Sequence, residues 1–164
     1  EVEVFRNDQT TIEAASSYDR IVLSPGPGIP SESGILIPLI KRFASEKKML
    51  GVCLGMQAIA EAFGGSIYNM EDIHHGVARK THIVDQNEPL FHSVPSPFLS
   101  ARYHSWAVDR DRLPSCLWIT AVGEKNEIMS LSHENELVKA VQFHPESILT
   151  EFGKELTYNW LYRC

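Results

Sequence analysis

The pentapeptide Gly51-Val52-Cys53-Leu54-Gly55 constrains this chain more than any other segment. It has the form G-x-C-x-G and falls where the apolar run Lys48–Val52 gives way to Met56, Ile59, Ala60 and Phe63, spaced as on one face of a helix. A strand must therefore turn sharply into a helix at Cys53, and flanking glycines supply the room such a turn needs. The helix is expected over residues 54–63, with Gly64-Gly65 at its C-cap.

The rest of the first half repeats this alternation. Residues 2–5 read as a strand, 20–23 as a buried strand, and 35–44 as a helix leading into the strand at 48–52. Strands alternating with helices imply a parallel sheet with crossover helices. From Ser66 onward the pattern changes to short strands, near 66–68, 81–84, 99–102, 117–122, 128–132 and 139–143, closed by a helix over about 149–161. The expectation is an α/β fold: a mostly parallel central sheet flanked by helices, with added antiparallel strands, forming one domain over residues 1–164. No repeat, low-complexity tract or charge block divides the chain.

Composition narrows the partners. With 164 residues, 43% of them hydrophobic, the chain can build a core without disulfides or a structural metal. A net charge of −6 disfavours nucleic acid and anionic membranes as partners. The three cysteines, Cys53, Cys116 and Cys164, are odd in number and scattered, which suits a reducing compartment and makes the cytoplasm the expected location. No apolar run approaches the roughly 18 residues of a spanning helix. No spacing of Cys or His matches a zinc site, the adjacent His74 and His75 would diverge on a strand, and no metal or cofactor is expected.

Three segments carry candidate chemistry. Cys53 sits at a thiol version of the nucleophile elbow, where the following helix offers unpaired N–H groups and a positive dipole end to a thiolate or an oxyanion. The same pattern also suits a small buried residue between two packing glycines. Phe143-His144-Pro145-Glu146 follows a strand pattern, and residues two apart share a face of an extended chain. If extension persists past Pro145, His144 gains a carboxylate to orient its ring, the base and acid of a Cys-His-acid triad; otherwise it is a structural histidine at a strand end. Ser24-Pro25-Gly26-Pro27-Gly28 is a stiffened glycine loop suited to clamping a ligand with backbone N–H groups, or simply a tight turn. It lacks the G-K-[ST] of a phosphate loop. Cys116 and Cys164 lack flanking glycines and read as a buried small residue and a bystander, and Trp118 and Trp160 read as core.

Taken in order, Ser24-Pro25-Gly26-Pro27-Gly28, Gly51 to Gln57, Arg102-Tyr103-His104-Ser105-Trp106 and Gln142 to Ser147 resemble the class I (triad) glutamine amidotransferases. The similarity is greatest to the branch that serves as glutaminase component of anthranilate and aminodeoxychorismate synthases. By that resemblance Cys53 is the nucleophile toward the L-glutamine side-chain amide, His144 the base and then the acid, and Glu146 its orienting partner. Backbone N–H groups of Leu54 and of a glycine in Gly26-Pro27-Gly28 would hold the oxyanion. That loop, Gln57, Ser105 and Trp106 would grip the amino-acid end of the substrate. The family usually has leucine where Trp106 stands, so the resemblance carries over a backbone contact there and not a side-chain one. Ammonia would pass to a chorismate-binding synthase subunit. Family members begin with a further strand and helix, so the native protein is expected to be longer. Two other readings share the fold: a stand-alone cysteine hydrolase for γ-glutamyl or peptide bonds, and a non-catalytic regulatory subunit.

Overall fold

The computed structural model describes residues 1–72 and 75–164, so that His74 lies outside the described residues. In chain order the elements are β1 (Arg20–Leu23), α1 (Leu36–Phe43), β2 (Lys48–Val52), α2 (Leu54–Ala62), β3 (Ile67–Asn69), β4 (Val77–Ile83), β5 (Phe98–Arg102), β6 (Trp106–Val108), β7 (Leu117–Gly123), β8 (Ile128–His133), β9 (Val138–Val141) and α3 (Gly153–Tyr162). Seven strands form one mixed sheet in the order β1-β2-β9-β8-β7-β4-β5, and β3 pairs with β6 in a separate ribbon. The expected parallel core is β1, β2 and β9. The antiparallel part, from β9 through β8, β7 and β4 to β5, is the larger.

Alternation along the central strands sends side chains to two cores. On one face Met49 of β2 joins Leu39, Ile40 and Phe43 of α1 and Met56 and Ile59 of α2. On the other, Leu50 and Val52 join Phe98, Met129, Val141 and Phe143 beneath Leu156 and Trp160 of α3. Burial on both faces is why β2 reads as a continuous apolar run. Among the described residues no helix is long and apolar enough to cross a membrane.

Several expectations are corrected. Residues 2–5 form no strand, and Val2 and Val4 stand 88% and 92% exposed. Alternation supplies a strand's faces but not its partner, and among the described residues nothing pairs with the outer side of β1. For the same reason β1 is not a buried strand: it is the sheet edge, and only Leu23 is buried. The closing helix starts at Gly153, because Thr150 is pinned by its hydroxyl, which donates to the His144 carbonyl at 2.6 Å and accepts from the Ala101 N–H at 2.9 Å. Trp118 is not core. Its ring lies at the surface under the Lys139 ammonium, and its Nε1 donates to Asp85. Trp160 is buried as expected, with Nε1 donating to the Met49 carbonyl.

Candidate active site

The turn after β2 is as sharp as its glycines imply. Cys53 adopts φ 52° and ψ −103°, a conformation that few residues with a side chain adopt. A Cβ on Gly51 would lie 2.6 Å from the Gly55 carbonyl oxygen, and one on Gly55 would press into the Leu23 carbonyl at the end of β1, 2.8 Å from Leu23 Cβ. Both glycines are therefore required for α2 to pack back on the sheet. We expect Gly55→Ala to push α2 off β1, lower the melting temperature and displace Cys53 with the helix. Thermal unfolding together with the rate of Cys53 alkylation checks both consequences.

Neighbouring strands deliver the other side chains to the same edge. The Cys53 N–H donates to the Val141 carbonyl at 2.8 Å, extending the parallel pairing of β2 with β9 into the elbow. Just past β9, the Gln142 N–H is held by Met129 and the His144 N–H by Ala101 of β5. His144 Nδ1 and Glu146 Oε1 are 2.8 Å apart, so they meet as a ring N–H and a carboxylate do. Extension past Pro145 is not how they meet. The chain turns, with the Ser147 N–H and the Thr150 hydroxyl both donating to the His144 carbonyl. The turn is locked where the Pro145 carbonyl packs over Gly153: a Cβ there would lie 3.1 Å from the Pro145 carbonyl carbon.

With Nδ1 committed to Glu146, the other ring nitrogen of His144 is left as acceptor. Nε2 is buried and has no hydrogen-bond partner among the described residues. The edge of the Tyr103 ring contacts the imidazole at a centroid distance of 4.8 Å, and the Tyr103 hydroxyl lies 3.4 Å from Ser147 Oγ.

Cys53 is buried, and burial pushes its thiol up to about 11. The Leu54 N–H and the Gln142 amide pull the other way, while the Glu146 charge adds to the rise. A thiol raised in this way is protonated near neutral pH.

The loop after β1 lies against the elbow. A Cβ on Gly26 would come 2.9 Å from Leu54 Cδ2, and Gly28 has φ 77°. Gly26, Pro27 and Gly28 are all exposed there. Gln57 is buried on the first turn of α2, and its Nε2 donates to the Trp106 carbonyl at 3.0 Å and to Gln142 Oε1 at 3.3 Å. Ser105 uses its carbonyl to hold the Met70 N–H at 2.7 Å, beside the short β3–β6 ribbon. Cys164 is half-buried with its thiol also raised to about 11 by burial, and Cys116 is half-buried in place of the full burial expected.

Gln142 and Tyr103 are the site residues that sequence reasoning missed. Gln142 carried a legible signal: a lone amide in the strand pattern from Val138 to Phe143, apolar but for Lys139, must find a partner if buried. Tyr103 carried none, since its contact with His144 depends on how β5 and the turn after β9 meet.

The chain matches the family model described as "Glutamine amidotransferase class-I" over residues 1–164. It is 45% identical over 163 residues to the bifunctional protein TrpGD of Thermotoga maritima, an alignment covering 98% of this chain and 27% of that protein. It is 41% identical over 163 residues to aminodeoxychorismate/anthranilate synthase component 2 of Bacillus subtilis, covering 98% of this chain and 83% of that protein. Among solved structures, a glutamine amidotransferase from Thermotoga maritima superposes with a TM-score of 0.71 at 22% identity, over 95% of this chain and 66% of that one.

Proposed function

Because this chain belongs to the class-I glutamine amidotransferase family, we propose that residues 1–164 act as one glutaminase domain that hydrolyses L-glutamine and delivers ammonia to a chorismate-binding synthase subunit in the cytoplasm. The product made there is anthranilate or aminodeoxychorismate, the pair carried by the name of the Bacillus relative. One observation carries the chemical part: Cys53 adopts the elbow conformation at φ 52° within electrostatic reach of Glu146, which holds His144 with its Nε2 buried and without a hydrogen-bond partner among the described residues.

Glutamine enters with its carboxamide over Cys53 and its amino-acid end toward Gly26-Pro27-Gly28, Gln57 and the backbone of Ser105 and Trp106. Both Nε2 protons of Gln57 are engaged, so it offers Oε1 as acceptor to the substrate ammonium. His144 Nε2 takes the thiol proton as Sγ bonds to the amide carbon. Charge then develops on the amide oxygen, where the N–H of Leu54 and a glycine N–H of the 26–28 loop receive it. Collapse breaks the C–N bond, and His144 returns its proton to the leaving nitrogen, giving ammonia and a γ-glutamyl thioester. Water, deprotonated by His144, attacks the thioester; glutamate leaves and the sulfur regains a proton. Glu146 stabilises the imidazolium in both halves.

The test is ammonia release from L-glutamine by the chain alone and with a chorismate-binding synthase subunit. A partner-dependent rise supports the reading, and a rate unchanged by any synthase subunit favours the stand-alone hydrolase. His144→Ala is expected to lower the glutaminase rate by a factor on the order of 10² to 10⁴, the range of general acid-base assistance. A loss under about threefold would remove His144 from the mechanism.

A further inference from the structure

A hydrogen-bonded line runs from the Trp106 carbonyl through Gln57 and Gln142 to the Cys53 sulfur, and one end fixes its direction. A carbonyl oxygen can only accept. It receives the His104 ring at Nδ1, 2.9 Å away, and Gln57 Nε2 at 3.0 Å. Gln57 must therefore turn its nitrogen inward, and the second proton on that nitrogen faces Gln142 Oε1 at 3.3 Å. The Gln142 amide is oriented in turn, since reversing it would set donor against donor. What it presents to Cys53 Sγ, at 3.5 Å, is an N–H. Gln57 and Gln142 are buried to 3% and 0% exposure, so water does not substitute for these partners.

We infer that Gln142, oriented by Gln57, is a positioning residue that holds a donor on the Cys53 sulfur and ties the placement of the nucleophile to the backbone of segment 105–106. The inference rests on the proposed role of Cys53 as nucleophile. A sulfur atom at the end of a rotatable Cα–Cβ bond has no fixed direction of its own. A donor anchored through two amides to a backbone carbonyl gives it one, and stabilises the thiolate over the thiol when the proton leaves. Because Ser105 and Trp106 are also proposed to contact the amino-acid end of glutamine, movement of that segment on binding would be felt at the sulfur. The same donor is one of the two groups that lower the thiol against burial, while the Glu146 charge raises it.

The experiment is alkylation of Cys53 by iodoacetamide in the intact chain without glutamine, followed by peptide mass spectrometry as a function of pH. Gln142→Met keeps length and packing but removes the donor. Its alkylation profile should move to higher pH, and its glutaminase kcat should fall about tenfold with KM changed less than about twofold, the signature of a lost hydrogen bond to a charged group. Gln142→Asn, which withdraws the donor by one methylene, should move the profile in the same direction and serves if the methionine variant does not fold. Gln57→Met should shift the profile as well, and the double variant should do no more than Gln142→Met alone, because one line is broken in each. An unchanged profile in both Gln142 variants, or strictly additive shifts of Gln57→Met and Gln142→Met, would overturn the inference. The alkylation profiles need no glutamine turnover, so they fail separately from the proposed function, which fails if Cys53→Ser still hydrolyses glutamine.

Discussion

Cys53→Ser is expected to lose glutaminase activity by a factor on the order of 10⁴ or more, as removal of a nucleophile does in other triads. Serine fits the space of the thiol, and the φ of 52° costs serine no more than cysteine, so the elbow itself survives. The Gln142 amide and the Leu54 N–H that face the sulfur can donate to a hydroxyl instead. What is lost is acidity, because the serine hydroxyl is far harder to deprotonate and His144 has only the Glu146 carboxylate to help it. Stability should change by less than about 1 kcal/mol, which separates a chemical loss from an unfolded protein. Ammonia production and thermal unfolding of the same preparation give both numbers. Retention of more than about a tenth of the activity would sink the assignment of Cys53 as nucleophile.

Arg102→Leu should have the largest effect on folding. The Arg102 side chain is wholly buried at the end of β5 and pairs with Glu127 at 3.0 Å. Its Nε also donates to Ser100 Oγ, while another guanidinium nitrogen donates to the Lys80 carbonyl and Thr81 Oγ1 of β4. It thus ties β5 to β4 and to the β7–β8 hairpin. Removing one partner of such a pair leaves a buried carboxylate uncompensated, at a cost of about 3–5 kcal/mol. Lysine would not replace it, since a single ammonium cannot serve acceptors set around a planar fork.

The pH dependence follows from Glu127. Burial works to raise its carboxyl, but its own N–H, the Arg102 guanidinium and the Lys125 N–H overcome that and hold it below its ordinary 4.5. A carboxyl depressed in the folded state contributes stability that is present above the unfolded value and lost as pH falls through the folded one. The wild type's resistance to urea should therefore weaken in acid below about pH 4.5, and Arg102→Leu should show a shallower acid limb. An equal slope in both would mean that Arg102 does not hold the carboxylate down. The His144 N–H is held by Ala101, next to Arg102, so loss of this anchor should also lower activity.

How much was legible depended on whether the signal was local. β2 and α2 fall where the apolar run and the helical stripe put them, because strand, glycine turn and helix face are all written within fifteen or so residues of Cys53. Partnership was not written there. Residues 2–5 and β1 have the alternation of paired strands, but whether another strand lies alongside depends on distant chain, and here β1 is an edge. Trp118 shows the same limit: its β7 neighbours are apolar, yet it stands on the face that meets solvent and the Lys139 ammonium. At the candidate site, His144 and Glu146 were found by their spacing, although a turn and not an extended chain brings them together. Gln142 was passed over because an amide in an apolar run announces a need for a partner without saying which one. β6, at three residues, is too short to show a period at all.

The parallel junction of β2 with β9 also governs when this site can exist. Gln142 and Cys53 touch across 89 positions of sequence, so that junction closes only when β9 has been brought back beside β2. Pairings of such separation are entropically expensive and form late. A refolding chain can therefore regain its helices and its β7–β8 hairpin, and the signals that report them, while Cys53 still lacks the Gln142 amide that touches it. Catalytic activity in this chain is thus a readout of completed topology, where spectroscopic helix and strand content reports only the parts.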